Sequence, residues 1–178
     1  MHHYIRTYTG KTLNPLRPRP EDIDIRDIAH ALSLNCRFCG QCKWHYSVGQ
    51  HSILCATKAP SHLKLEALLH DASEAYISDL AKPVKVQDEM HEYREAERRL
   101  EEVIALRFGL RYPLPEGIHH IDQRMLATEI RDLMPDDEPL RRFPYDDVRI
   151  EKWKPGFTEH LFIATYDDLA AQRRMQML

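Results

Sequence analysis

His70 and Asp71 stand side by side in the stretch LKLEALLHDASEAYISDLAKPVK, on a helix that the apolar spacing of Leu65, Leu68 and Leu69 predicts over residues 62–78. Neighbours on a helix point about 100° apart. Two such groups share a cation only from the groove between their directions, and only if other helices complete the shell. A lone His-Asp pair arises by chance in many chains; as a ligand pair it requires a fold that brings remote helices to this one. An imidazole upstream, His51 in SVGQHS, and a carboxylate downstream, Asp122 in HHIDQR, can complete the set. Two imidazoles and two carboxylates are a mixed nitrogen and oxygen shell. It suits one divalent cation (Mn, Co, Mg, Zn, Ni or Fe) better than a closed thiolate site would. Positions left over go to water and a phosphate oxygen, the arrangement of a hydrolytic metal.

Other residues cluster around these four. Glu74 lies four residues after His70 and three after Asp71, which on a continuous helix puts all three in one sector. A carboxylate beside a metal can orient the attacking water. Asp79 precedes the helix-breaking Leu80-Ala81-Lys82-Pro83 and is expected at a loop rim, as a helix-stop aspartate or a proton donor. Arg37 offers a planar fork that matches phosphate oxygens, and Lys85 a point charge.

These motifs resemble those of the HD-domain phosphohydrolases. The similarity is nearest to the small bacterial and phage branch of deoxyribonucleoside 5′-monophosphate nucleotidases. The residues that carry it are His70-Asp71-Ala72-Ser73-Glu74 with Asp79-Leu80 and Pro83-Val84-Lys85, then Tyr46-Ser47-Val48 with Gln50-His51-Ser52, and Asp24-Ile25 with Asp27-Ile28-Ala29-His30-Ala31-Leu32-Ser33. The likeness spans roughly residues 4 to 135. It implies His51, His70, Asp71 and Asp122 as metal ligands, Glu74 as the group that positions water, and Asp79 as an acid for the leaving oxygen. It also implies Arg37 as the phosphate grip, with Phe38 in the place of an aromatic that screens the sugar. The implied activity is hydrolysis of deoxynucleoside 5′-monophosphates. The alternatives are a phage-type triphosphohydrolase of dATP and a nucleotide-sensing module without catalysis.

Length and charge bound the rest. At 178 residues the chain fits one domain with a core that needs no staples. A net charge of −3 with scattered basic residues gives no footprint for a stable nucleic-acid partner. No apolar run approaches the roughly 20 residues of a membrane span, and the start lacks the apolar stretch of a signal peptide. A cytoplasmic homo-oligomer is expected, in the host cytoplasm if the chain is phage-encoded.

The expected fold class is all-α, one HD-type helical bundle over 1–178. An extended N-terminal arm or hairpin occupies 1–21, where TYTG, NPL and RPRP are turn signals. Helices follow from Asp24, over about 47–59, 62–78 (capped at Ser61), 87–108 (stopped by Gly109) and 116–133, the polar EYREAERR stretch reading as a solvated face. An irregular segment wraps the surface over 135–157, and a last helix fills 158–178. Cys36, Cys39, Cys42 and His45 recur at three-residue spacing, on paper a second metal site or redox cluster. Reduced thiols packed near the rim are the preferred reading.

Overall fold

The computed structural model describes residues 3–135, 145 and 147–176. Helix makes up 64% and strand 4% of these, so the chain is all-α. The N-terminal arm is a two-stranded antiparallel hairpin, β1 (Ile5–Arg6) and β2 (Thr12–Leu13). It is pinned to the first helix, α1 (Ile25–Leu34), where the Thr9 backbone N and Oγ1 donate to Asp27 at 2.7 and 2.9 Å. Asp24 caps α1 by accepting from the Arg26 N–H.

Helix α2 (Val48–Lys58) runs through the middle of the molecule and packs against the helices before and after it in sequence. Ser47 caps it by accepting from the Gln50 N–H. Its passage requires Gly49: a Cβ there would lie 3.2 Å from the Leu32 carbonyl carbon and oxygen and from Thr158 Cγ2. α1 and the last helix both press on α2 at this point, and His51, two residues on and on the opposite side of the helix, is fully buried.

The helix expected over 62–78 is interrupted. Ser61 does not cap it but opens a 3₁₀ turn (Ser61–Leu63), followed by α3 (Lys64–Leu69) and, after a tight turn, α4 (Glu74–Ile77). Between them the backbone bonds shorten to the i→i+3 pattern, with Ala72 N donating to Leu69 O and Glu74 N to Asp71 O at 3.1 and 3.0 Å. Residues three apart eclipse each other in such a turn. Asp71 and Glu74 are therefore stacked, while His70, four residues from Glu74, is rotated away from that line.

Lys82–Lys85 forms a short α5, and α6 (His91–Phe108) ends where Gly109 takes a left-handed φ of 64° that costs glycine nothing. The polar stretch of α6 is not solvated all round. Arg98 pairs with Glu95 and Glu102 on the outside, whereas Ala96, Glu97 and Leu100 are buried. Helix α7 (Glu116–Leu133) keeps its expected bounds. The described part of 135–157 is irregular up to Lys154 and lies along α7: Arg131 donates to the Tyr145 and Val148 carbonyls, and Ile150 N donates to Asp132. The remainder of that segment, 136–144 and 146, falls outside the described residues, as do residues 1–2 and 177–178 at the ends.

The last helix, α8, starts earlier than expected and covers Pro155–Gln176, with Pro155 at its first position where a missing N–H costs nothing. It buries Phe162 in the core, and Arg173 donates two bonds, 2.8 and 2.7 Å, to the fully buried Glu66 of α3. No helix of the described residues is long and apolar enough to cross a membrane.

Candidate metal centre

Four side chains named from the sequence meet at one point where α2, the turn after α3, and α7 converge. The Nε2 atom of His51 lies 3.2 Å from Nε2 of His70, 3.5 Å from Asp71 Oδ2 and 3.2 Å from Asp122 Oδ1. The His70 Nε2 atom is 3.2 Å from Asp71 Oδ2 and 4.0 Å from Asp122 Oδ1. Donors bound about 2.1 Å from a common cation sit roughly 3.0–3.5 Å apart. The set is close to that spacing, and the residues fit the group.

The proton positions sharpen the point. His51 Nδ1 is 2.5 Å from Glu129 Oε1, and His70 Nδ1 is 2.8 Å from the Ala67 carbonyl oxygen. An ionised carboxylate and a carbonyl only accept, so both Nδ1 atoms donate. In the neutral imidazoles both Nε2 atoms then turn lone pairs toward each other and toward two carboxylate oxygens. Four acceptors in mutual contact repel unless positive charge lies among them. In the protein without a cation, a proton fills that role. Burial and Arg37 work against it, yet Cys55, Glu129 and Asp122 hold the His51 pKa well above its ordinary value. Burial likewise opposes ionisation of Asp122, but the bond to His51 and the charges of His51, His70 and Arg37 keep its pKa far below the carboxylate range.

Glu129 was not singled out in the sequence, and it organises the centre. Fully buried, it accepts from His51 Nδ1, from the Tyr46 hydroxyl at 2.8 Å and from Arg37 Nε at 3.2 Å. Burial raises its pKa, but the opposing charges of Arg37 and His51 win and the carboxyl is held below its usual range. It sits seven residues after Asp122 on α7, two turns along the same face, and that spacing was a readable signal. Cys55 was also passed over, although it lies four residues after His51 on α2. His51, Cys55 and His70 form a group able to hold a metal ion, with ligand atoms within 4.8 Å of one another. The sulfur is 3.5 Å from His51 Nε2 and 4.0 Å from Nδ1. Being almost equidistant from both nitrogens, it sits beside the ring rather than beyond Nε2 along its lone pair, where the carboxylates compete for the cation.

Arg37 is largely buried, tied to Glu129 and with Nη1 3.5 Å from Asp71 Oδ2. Phe38 beside it is half-buried, its ring 5.7 Å from the guanidinium carbon. Glu74 reaches the same region. Its Oε2 atom is buried without a partner among the described residues. Burial, with Asp71 and Asp79 nearby, pushes its pKa up to about 9. Asp79 is half-buried in the loop after α4, and burial raises its pKa against the pull of Arg37. Lys85 is not a free loop cation: its Nζ lies 2.5 Å from Glu97 on α6. His119 and His120 are exposed on α7, His119 bonded to Gln123. The Cys36, Cys39, Cys42 and His45 series does not converge either. Cys36 and Cys42 sulfurs are 3.8 Å apart, Cys39 is exposed, and His45 Nε2 is 3.3 Å from the Leu34 carbonyl.

No protein-family model matches the chain. It is similar to the uncharacterized protein YfdR of Escherichia coli (strain K12), with 35% identity over 176 residues covering 96% of this chain and 98% of that one. It is also similar to the uncharacterized protein RCAP_rcc00048 of Rhodobacter capsulatus, with 40% identity over 122 residues, 64% of this chain and 62% of the relative.

Proposed function

The chain belongs to the family of Escherichia coli YfdR, and from that premise we propose that it is a divalent-metal-dependent phosphohydrolase of the HD-domain kind acting on deoxyribonucleotides. The observation that carries the proposal is the meeting of two Nε2 lone pairs with the Asp71 and Asp122 carboxylates, both Nδ1 protons being committed elsewhere. His51, His70, Asp71 and Asp122 hold the cation, with Mn, Co, Mg, Zn, Ni and Fe all compatible with this shell. When bound, the cation supplies Lewis acidity and makes water acidic enough to act as a nucleophile near neutral pH.

The protein's own groups do the remaining work. Glu74 presents its unpartnered Oε2 to orient the attacking water. Burial, Asp71 and Asp79 outweigh Arg37 and Lys85 and keep its carboxyl protonated at neutral pH, and added positive charge beside Asp71 favours its ionised, proton-accepting form. Asp79, with a raised pKa, retains a proton more readily than an exposed aspartate and can give it to the leaving oxygen. Arg37 is held rigid by Glu129 and Asp71, so it meets equatorial phosphate oxygens without losing rotamer freedom on binding. Phe38 flanks the sugar.

Between one phosphate and three, the charge at the rim favours one. Arg37 already faces Asp71 and Glu129, Lys85 faces Glu97, and the carboxyls of Glu74, Asp79 and Glu101 lie around them. A single phosphoryl group suits that balance better than a triphosphate chain. Chromatography of products from a panel of deoxynucleoside mono- and triphosphates, with Mn²⁺, Co²⁺ or Mg²⁺, tests the proposal. Deoxynucleoside and orthophosphate from monophosphates are expected. Tripolyphosphate release would move the substrate class to triphosphates, and nucleotide binding without turnover would leave a sensor.

A further inference from the structure

We infer that Cys36 and Cys42 form a modification site: a dithiol that a low-molecular-weight disulfide such as glutathione disulfide converts to an intramolecular disulfide, closing the loop that carries Arg37 and Phe38. Their sulfurs are 3.8 Å apart. A disulfide bond of about 2.05 Å needs both to move inward by less than an ångström, within the reach of small side-chain rotations.

The approach is built into anchored backbone rather than left to a mobile loop. Cys36 pairs with Ser47 in an isolated β-bridge, and the Arg37 N–H donates to the Tyr46 carbonyl at 2.9 Å. On the other side of Cys42, the Lys43 N–H donates to Leu133 O at the end of α7, at 3.0 Å. In between, Phe38, Cys39 and Gly40 take positive φ values of 57°, 51° and 76° in succession. Two non-glycine residues in that region are unusual, and the left-handed run folds the chain back so that Cys42 returns to Cys36. Cys39, at the turn, is the exposed thiol, yet it is the half-buried pair that faces each other.

The chemistry balances with the disulfide as oxidant. The Cys42 thiol is tied up by donating to the Trp44 carbonyl at 2.9 Å, and burial and the bond with Cys36 raise its pKa, so Cys42 is the second of the pair to react. The Cys36 thiolate displaces one glutathione thiolate and forms a mixed disulfide. Cys42 then gives up its proton, attacks the Cys36 sulfur and displaces the second glutathione. Two electrons pass from the pair to the glutathione disulfide, which leaves as two thiols.

The test is made on the whole chain, which carries four cysteines. After incubation with glutathione disulfide and removal of excess, thiol titration in denaturant is expected to find half of the thiols gone. Intact mass should fall by two hydrogen atoms with no glutathione retained, and a reductant should restore both. Trypsin cuts after Arg37 and after Lys43, so the expected bond joins two peptides, with fragmentation placing it on Cys42. Cys39→Ser should leave the reaction unchanged, and Cys36→Ser should block it. Four persisting thiols, a glutathione adduct on Cys39 alone, or a bond from either partner to Cys39 overturns the inference. None of these readouts uses catalytic activity, so the result stands apart from the proposed function.

Discussion

Substituting Glu129→Gln is the most informative perturbation of this centre, because its three bonds divide unequally over the two carboxylate oxygens. Oε1 accepts from His51 Nδ1 and from Tyr46; Oε2 accepts from Arg37. A glutamine oxygen can take the place of Oε1 and keep both of those bonds, though with a neutral acceptor roughly half as strong as a charged one. Its amide NH₂ must then face the Arg37 Nε–H, donor against donor. The His51 tautomer is expected to survive while its basicity falls, and the phosphate grip proposed for Arg37 is expected to loosen. Loss of a carboxylate behind a metal-binding histidine lowers metal affinity by about 10–100-fold. Because one acceptor remains, the lower end applies, about 10-fold or 1.4 kcal/mol. Leaving the buried Arg37 Nε without its carboxylate, with Asp71 as the guanidinium's remaining counter-charge, adds about 1.5–3 kcal/mol of lost stability. Calorimetric titration of the chelator-treated protein with Mn²⁺ or Co²⁺ reads the first quantity, urea unfolding the second, and imidazole ¹⁵N shifts the tautomer. A variant that binds Mn²⁺ within about twofold of the parent refutes the role assigned to Glu129.

Glu74→Gln should retain the metal but lose turnover by about 100-fold or more. The same variant carries a pH signature in chelator-treated protein. The folded pKa near 9 lies above the unfolded carboxyl value, so the contribution of Glu74 to stability is complete at low pH and lost as pH rises toward 9. The glutamine variant should therefore gain on the parent by about 1 kcal/mol for each pH unit between roughly pH 5 and 9, and a difference that does not change with pH would contradict that reasoning. Gly49→Ala should destabilise by about 1–2 kcal/mol despite the better helix propensity of alanine, because the new methyl meets the Leu32 carbonyl; an unchanged urea midpoint would count against it. Arg173→Ala should cost about 2–3 kcal/mol, since Glu66 Oε2 loses its partner and Oε1 keeps only the backbone N and Nε of the half-exposed Arg111, and a loss below the error of the melt would show the pair to be idle.

Much of the frame could be read from residues whose local physics is self-contained. Asp24 and Ser47 cap helices because their side chains satisfy nearby N–H groups, and Gly109 ends one because only its own φ is at stake. His51, His70, Asp71 and Asp122 were found as a set, although periodicity alone does not say that α7 would deliver Asp122 to the others. What escaped depended on contacts made at a distance. The turn that stacks Asp71 with Glu74 looks helical in pattern, since i+3 and i+4 neighbours are both compatible with the same apolar positions. Glu97 reads as a surface charge until Lys85 comes to meet it. Glu129 reads as one more polar residue near the end of α7 unless its seven-residue relation to Asp122 is weighed.

That relation gives α7 a part in tying distant stretches of the chain together. Residues 51, 70 and 71 are near neighbours in the chain. Asp122 and Glu129 come from fifty residues farther on and share one face of α7, so one helix supplies both the last carboxylate and the brace behind His51. A cation held at this point would act as a clasp between the first half of the chain and α7. Withdrawing it should speed amide hydrogen exchange in α7 well before it disturbs α2 or α3.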